Sequence, residues 1–312
     1  MHFFAPRLGI IFLCLFPSSI VRADPGAEFN ARCAQKIHAS LTDSLSGMSP
    51  SANPKANVDA LLESAEFIEH FALFLNTAFN DDPTEALPED VVYHLTKHVL
   101  EKKKPYADLF TGRYDFTFNK PATGLDRVEV VASPQGVGYF ETRPWKLRYM
   151  GNEENGVRLM AAYRILNNMT GLELSAVTID PNKKNTAAGR RDAPCNVCHY
   201  NSWFALDKVA SVLGTVDFAP QLNLVKFNPP DGSVKQILGD IPVRNTRELT
   251  EAVVKSENFS FQACRLSFRF LTGRNENVCE EKLFDQCMTN FKKTGKIQDA
   301  LKTYILDANF CQ

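Results

Sequence analysis

Cys195-Asn196-Val197-Cys198-His199 is the stretch of this chain whose residue types and spacing specify a chemistry. Two thiols three positions apart, followed at once by an imidazole, meet the needs of covalent haem attachment. Each thiol adds across one porphyrin vinyl group, and the histidine reaches the iron. A cysteine pair at this spacing also suits a thiol oxidoreductase, half of a zinc site or a plain disulfide. A thiol-redox fold expects a buried strand just upstream, whereas Lys183-Lys184-Asn185 through Arg190-Arg191-Asp192 reads as loop. Zinc requires a second ligand pair, and no histidine follows His199. The preferred reading is one haem c per chain, held by Cys195 and Cys198, with His199 as the proximal iron ligand.

The distal ligand is less constrained. Downstream of the motif only Met288 offers a thioether; upstream stand Met150, Met160, Met169, His38, His70, His94 and His98. Met160 and Met169 are nine residues apart on one expected helix, so they point in directions about 180° apart and only one faces the iron. Met169 is preferred, being nearest the helix end that leads into the haem loop, with Met160, His70 and His98 as alternatives. Each has a plainer explanation. Methionines fill core gaps, His94 and His98 read as exposed residues on a surface helix, and His70 reads as a core-edge histidine. Without any of them the iron is five-coordinate and open to a small ligand. Lys183, Lys184, Arg190 and Arg191 could rim the site for an acidic redox partner, but a solvated loop is the simpler expectation. No acid/base dyad, phosphate loop or nucleophilic triad is visible.

Haem attachment of this kind needs export, and residues 1–23 read as a secretory signal. Arg7 precedes the apolar run Leu8 to Phe16, and Val21-Arg22-Ala23 forms a small-x-small cleavage site. That run is too short to span a bilayer, which takes roughly 20 residues, and every later apolar run is broken by charged or amide residues. The chain is expected to be soluble and periplasmic or otherwise exported. Its near-neutral balance, 35 Lys and Arg against 36 Asp and Glu, gives no reason to expect nucleic acid.

The surrounding elements must position the motif. Val58 to Leu75 has helical period, Pro88 to Lys104 forms a second such run with Glu89 and Asp90 favouring its N-terminus, and Tyr106 to Phe110 adds a turn. Tyr114 to Tyr149 carries β-rich segments at Asp115–Phe118, Arg127–Val131 and Val137–Phe140, expected as a small sheet or pair of hairpins. Asn155 to Thr170 returns to helical period and ends at Gly171. Trp203 opens a short helix to Leu213. Leu222–Phe227 and Val234–Leu238, joined by Asn228-Pro229-Pro230-Asp231-Gly232, are expected to form a hairpin. The tail reads as helices at 246–255, 259–272, 280–293 and 298–306. The expected organisation is a signal peptide (1–23), a helical region (24–113), a small β-rich insertion (114–150), a haem c region (151–215) and a C-terminal hairpin-plus-helix module (216–312).

Once the signal cysteine Cys14 and the motif pair are set aside, Cys33, Cys264, Cys279, Cys287 and Cys311 remain. If 259–272 and 280–293 are antiparallel helices, Cys264 and Cys287 lie at one height, and Cys279 falls near the end of the next helix beside Cys311. The expected bridges are Cys264–Cys287 and Cys279–Cys311, with Cys33 left over.

Cys195 to Leu206, CNVCHYNSWFAL, resembles the haem segment of the planctomycete-type cytochrome c-like proteins, whose motif leads into Asp-Pro-x-Gly-Phe-Ala-Leu-Glu. Phe204-Ala205-Leu206-Asp207 matches the end of that run, while Asn201, Ser202 and Trp203 depart from its Asp-Pro and Gly. Residues 231–274, ending Leu271-Thr272-Gly273-Arg274, are similar to the family's C-terminal module, and 61–110, with Lys104-Pro105-Tyr106 and Phe110, to its N-terminal helices. The resemblance implies an exported, mainly helical, haem-bearing protein with no assigned reaction. The resulting expectation is a mainly α, cytochrome c-like architecture with a small β insertion and a disulfide-linked helical C-terminus. It would act as a monohaem c-type cytochrome relaying an electron to an unidentified redox partner protein. A haem enzyme or sensor with an open distal site, or a binding module with structural haem, are the alternatives.

Overall fold

The tail helices follow from local signals. Asn245 accepts from the Glu248 amide (2.9 Å) and opens α9 (Thr246–Val253). Ser256 accepts from the Phe259 amide and opens α10 (Glu257–Thr272), which Gly273 closes in the left-handed conformation. Gly295 ends α11 (Glu281–Thr294) in the same way, and α12 (Ile297–Leu306) follows after a two-residue link. These four helices fall within a few residues of their expected positions. The computed structural model describes residues 25–44, 53–83, 89–119, 127–150, 157–175, 186–219 and 224–312. The expected signal peptide, Lys183 and Lys184 lie outside the described residues.

α10 is the hub, packing against α1 (Pro25–Thr42), α7 (Val157–Thr170), α11 and α12. Phe270 on α10 meets Phe67, His70, Phe71 and Phe74 with ring centroids 4.8–6.1 Å apart. Edge-on and tilted contacts of this kind add to the gain from area burial. One buried cluster runs from Cys33 to Ile305 and draws on every expected region of the mature chain.

Two disulfides fasten this framework. Cys264–Cys287 joins α10 to α11, as the helix heights require. The second expected bridge is wrong: Cys311 pairs with Cys33 across 278 positions, and Cys279 is exposed with a free thiol. The last turn carries Cys311 past α12 and onto α1, where Lys36 lies 5.2 Å over the Phe310 ring. Cys279 sits instead on a short turn, Val278–Glu280, ahead of α11.

Between α1 and the motif the expected long helix from Val58 divides in two. α2 (Val58–Leu61) ends early, and Ser64 restarts the chain as α3 (Ala65–Phe79) by accepting the Phe67 amide at 3.1 Å. α4 (Val91–Glu101) packs on α3, and α5 (Asp108–Thr111) is the expected extra turn. Asp90 stands at the α4 cap position but makes no side-chain cap; it is fully buried and accepts from Asn76 Nδ2 at 2.7 Å.

Among the described residues there are three antiparallel hairpins of two strands each: β1 (Tyr114–Asn119) with β2 (Arg127–Ala132), β3 (Thr215–Ala219) with β4 (Leu224–Asn228), and β5 (Lys235–Ile237) with β6 (Ile241–Val243). Val137–Phe140 is not a strand. Val137 makes one bridge to Tyr114, and then Tyr139 and Phe140, adjacent and both buried, wind into a short 3-10 turn before α6 (Arg143–Tyr149). Two consecutive inward side chains are incompatible with the alternation of a half-buried strand. The expected hairpin of 222–227 with 234–238 is also wrong, because its strands pair elsewhere. Pro229-Pro230 lacks amide donors, while Leu238 and Gly239 at φ 52° and 92° supply the tight reversal that joins β5 to β6. Among the described residues no helix is long and apolar enough to cross a membrane. The architecture is thus mainly helical with small antiparallel sheets and two disulfides.

Candidate functional site

The motif lies between a short turn, Gly189–Arg191, and α8 (Leu206–Ser211), and these are its principal packing neighbours. Thr186 organises the entry: its hydroxyl accepts the Gly189 amide at 3.2 Å and its carbonyl the Arg190 amide at 3.0 Å. Cys195 to Ser202 then forms one widened helical turn. The His199 amide reaches the Cys195 carbonyl at 3.2 Å, an i to i+4 bond, and the Ser202 amide reaches the Val197 carbonyl at 2.8 Å, an i to i+5 bond of π type. Ser202 Oγ donates to the Cys198 carbonyl and accepts the Ala205 amide, closing the turn. Ala205, at φ 24°, redirects the chain into α8, whose short length puts Asp207 in its first turn.

Asp207 reaches back to the motif. Its Oδ2 accepts from His199 Nδ1 at 2.7 Å, while Arg190 holds both carboxylate oxygens, Nη2 to Oδ1 at 2.8 Å and Nε to Oδ2 at 3.0 Å. The side chains of Arg190, Asp207 and His199 are 7%, 10% and 20% exposed. A carboxylate has no proton to give, so Nδ1 carries the hydrogen of this bond. Cys195 and Cys198 are half-buried with unpaired thiols. The surface beside them is partly apolar: Val197 is 58% and Trp203 41% exposed, and Trp203 meets Phe204 edge-on at 5.4 Å. Arg191 lies 4.5 Å over the Tyr200 ring, whose hydroxyl donates to the Ala187 carbonyl. Burial, with Asp207 nearby, raises the Tyr200 hydroxyl above its ordinary range.

Of the charge cluster expected as a solvated loop or docking rim, Arg191 is exposed, but Arg190 departs from that expectation. It is buried, and it faces the motif's own histidine through Asp207. Asp207 and Arg190 are the residues that sequence reasoning missed. The signal for Asp207 was an acid in the first turn of the helix that follows the motif, and Arg190 offered only its charge.

The distal candidates are spread over the fold. Met169 is fully buried on α7, and Met160, on the same helix, is half exposed, so the two do point apart. α7 packs on α8, with Arg158 Nη2 donating to the Ala210 carbonyl at 2.9 Å. His70 is held between α1 and α10, its Nδ1 3.1 Å from the Leu41 carbonyl and its ring against Phe270. His94 and His98 are half-buried rather than exposed. His98 lies edge-on to Tyr114 at 5.0 Å; burial, then Lys104 and Lys102, hold it below the usual histidine range. The described contacts of His70 and His98 are all outside the motif segment. Among the described residues no three His, Cys, Asp or Glu side chains converge as a protein-only metal cluster would require. No family model matches this chain, and searches of curated proteins and of solved structures found no match either.

Proposed function

We propose that this chain is an exported monohaem c-type cytochrome with a cytochrome c-like organisation around its motif, acting in electron transfer. The observation that carries the reading is the conjunction at residues 195–207. Two unpaired thiols at the required spacing precede a histidine whose Nδ1 is engaged by Asp207 at 2.7 Å, which directs Nε2 to a metal. Haem bound here supplies one-electron chemistry at its iron.

The chain's own residues have separable tasks. Cys195 and Cys198 would hold the haem covalently, His199 would ligate its iron, and Asp207 would fix the orientation of the His199 ring. Val197, between the two cysteines, and Trp203, four residues past His199, are exposed apolar side chains that offer surface for a porphyrin to cover. Met169, fully buried on α7, would be the second iron ligand on the sequence preference alone. The two disulfides are compatible with an exporting compartment.

The test is expression with export and a haem c maturation system, followed by mass and optical spectra of the purified protein. One covalently bound haem is expected, lost in Cys195→Ala with Cys198→Ala. A ferric low-spin spectrum with a sulfur-to-iron charge-transfer band that disappears in Met169→Leu would support the ligand choice at conserved core volume. A high-spin ferric spectrum that responds to azide would move the protein to an open-site haem enzyme. Matured protein with no added haem mass would overturn the reading.

A further inference from the structure

We infer that Arg190 and Asp207 are positioning residues for the proximal imidazole, and that the balance of charge between them sets how strongly His199 donates to the metal it holds. The inference rests on the haem reading of Cys195 to His199.

The three groups stand in series through one atom. Asp207 Oδ2 receives both the His199 Nδ1 proton, at 2.7 Å, and the Arg190 Nε proton, at 3.0 Å; Oδ1 takes a second guanidinium bond from Nη2 at 2.8 Å. The fork-to-fork geometry fixes the carboxylate plane, and that plane fixes the imidazole. A carboxylate behind a metal-bound histidine raises its basicity, whereas a cation on the same carboxylate withdraws that density. Low exposure keeps water and salt from screening either effect. The local backbone serves this placement: the Thr186-braced turn delivers Arg190 from one side, and the turn at Ala205 brings Asp207 from the other. A pair that merely tied the loop to α8 would not need its shared oxygen on the motif's only histidine.

The two roles are separated by sign, using full-length, exported protein whose haem content is confirmed by mass. Asp207→Asn keeps a Nδ1 acceptor but loses the anion. It is expected to shift the ferric-to-ferrous preference about tenfold toward ferrous, ~59 mV upward for one electron, and to lower the iron–imidazole stretching frequency seen after photolysis of the carbon monoxide adduct. Arg190→Gln leaves the anion unopposed and should move both readouts the other way, while Arg190→Lys, which keeps the charge, should stay close to the parent. If Asp207→Asn does not accumulate as folded holoprotein, the two Arg190 variants carry the comparison. Haem-loaded variants that leave both readouts unmoved, or that move them in one common direction, overturn this inference alone. A parent protein without covalent haem overturns the haem reading and this inference with it.

Discussion

The cysteines of the helical framework and those of the motif turn differ in burial, partners and neighbours. Cys33, Cys264 and Cys287 are at most 2% exposed and bridged, set among aromatic and aliphatic side chains of α1, α10, α11 and α12. Cys195 and Cys198 are half-buried and unpaired on a single wide turn, braced by hydrogen bonds and a buried ion pair. One region converts its thiols into stability by shortening the unfolded chain's freedom. The other leaves them unpaired and half-buried. Val197–Asn201 contributes no buried residue, so the framework does not route through the motif turn.

Breaking the comparison on the framework side should give the largest effect. Replacing Cys264 and Cys287 by Ser is expected to cost about 3 kcal/mol, and Cys33 and Cys311 about 5 kcal/mol, because the second bridge closes the longer loop. Chemical denaturation of the purified protein measures both. The same double replacement at Cys195 and Cys198 should change stability by less than about 0.5 kcal/mol, as for surface positions. A loss at the motif equal to that in the framework would erase the distinction.

The polar brace can be broken next. Asp207→Ala leaves the buried Arg190 without its acid and should destabilise the protein by about 3 kcal/mol. Combining Arg190→Met with Asp207→Leu should recover most of that, since an apolar pair of similar size replaces the buried charges. Recovery of stability without recovery of the haem attachment proposed above would show that the pair is kept for the site and not for the fold.

The smallest effect sharpens the framework's own account. Burial holds His98 below the ordinary histidine value of 6.5, with Lys104 and Lys102 adding to it. Such a group contributes stability that is fully present above pH 6.5 and lost as pH falls through its lower folded value. The parent should therefore lose stability below pH 6.5 more steeply than His98→Gln does, in unfolding curves taken at a series of pH values.

Much of the fold was legible wherever a few adjacent residues decide the outcome. The tail helices were readable because caps such as Asn245 and Ser256, closing glycines such as Gly273 and Gly295, and apolar period all act within one or two turns. The split at Ser64 was missed because the apolar spacing continues through it, and only the cap bond to Phe67 marks the restart. The strands around 224–237 were recognised as strands but given the wrong partners, because pairing depends on which turn can reverse the chain. At the site, the motif was legible and its brace was not.

By itself the sequence determined the tail helices, the Cys264–Cys287 bridge and the Cys195 to His199 motif, all of which depend on spacings of a few turns or one helical hairpin. Only the tertiary structure decided that Cys311 returns to Cys33 and that Arg190, 17 residues before Asp207, closes on the acid that holds His199. Those contacts depend on where the chain returns after packing. Local pattern carries no record of that return, because the free energy that selects it is spread over the whole buried core.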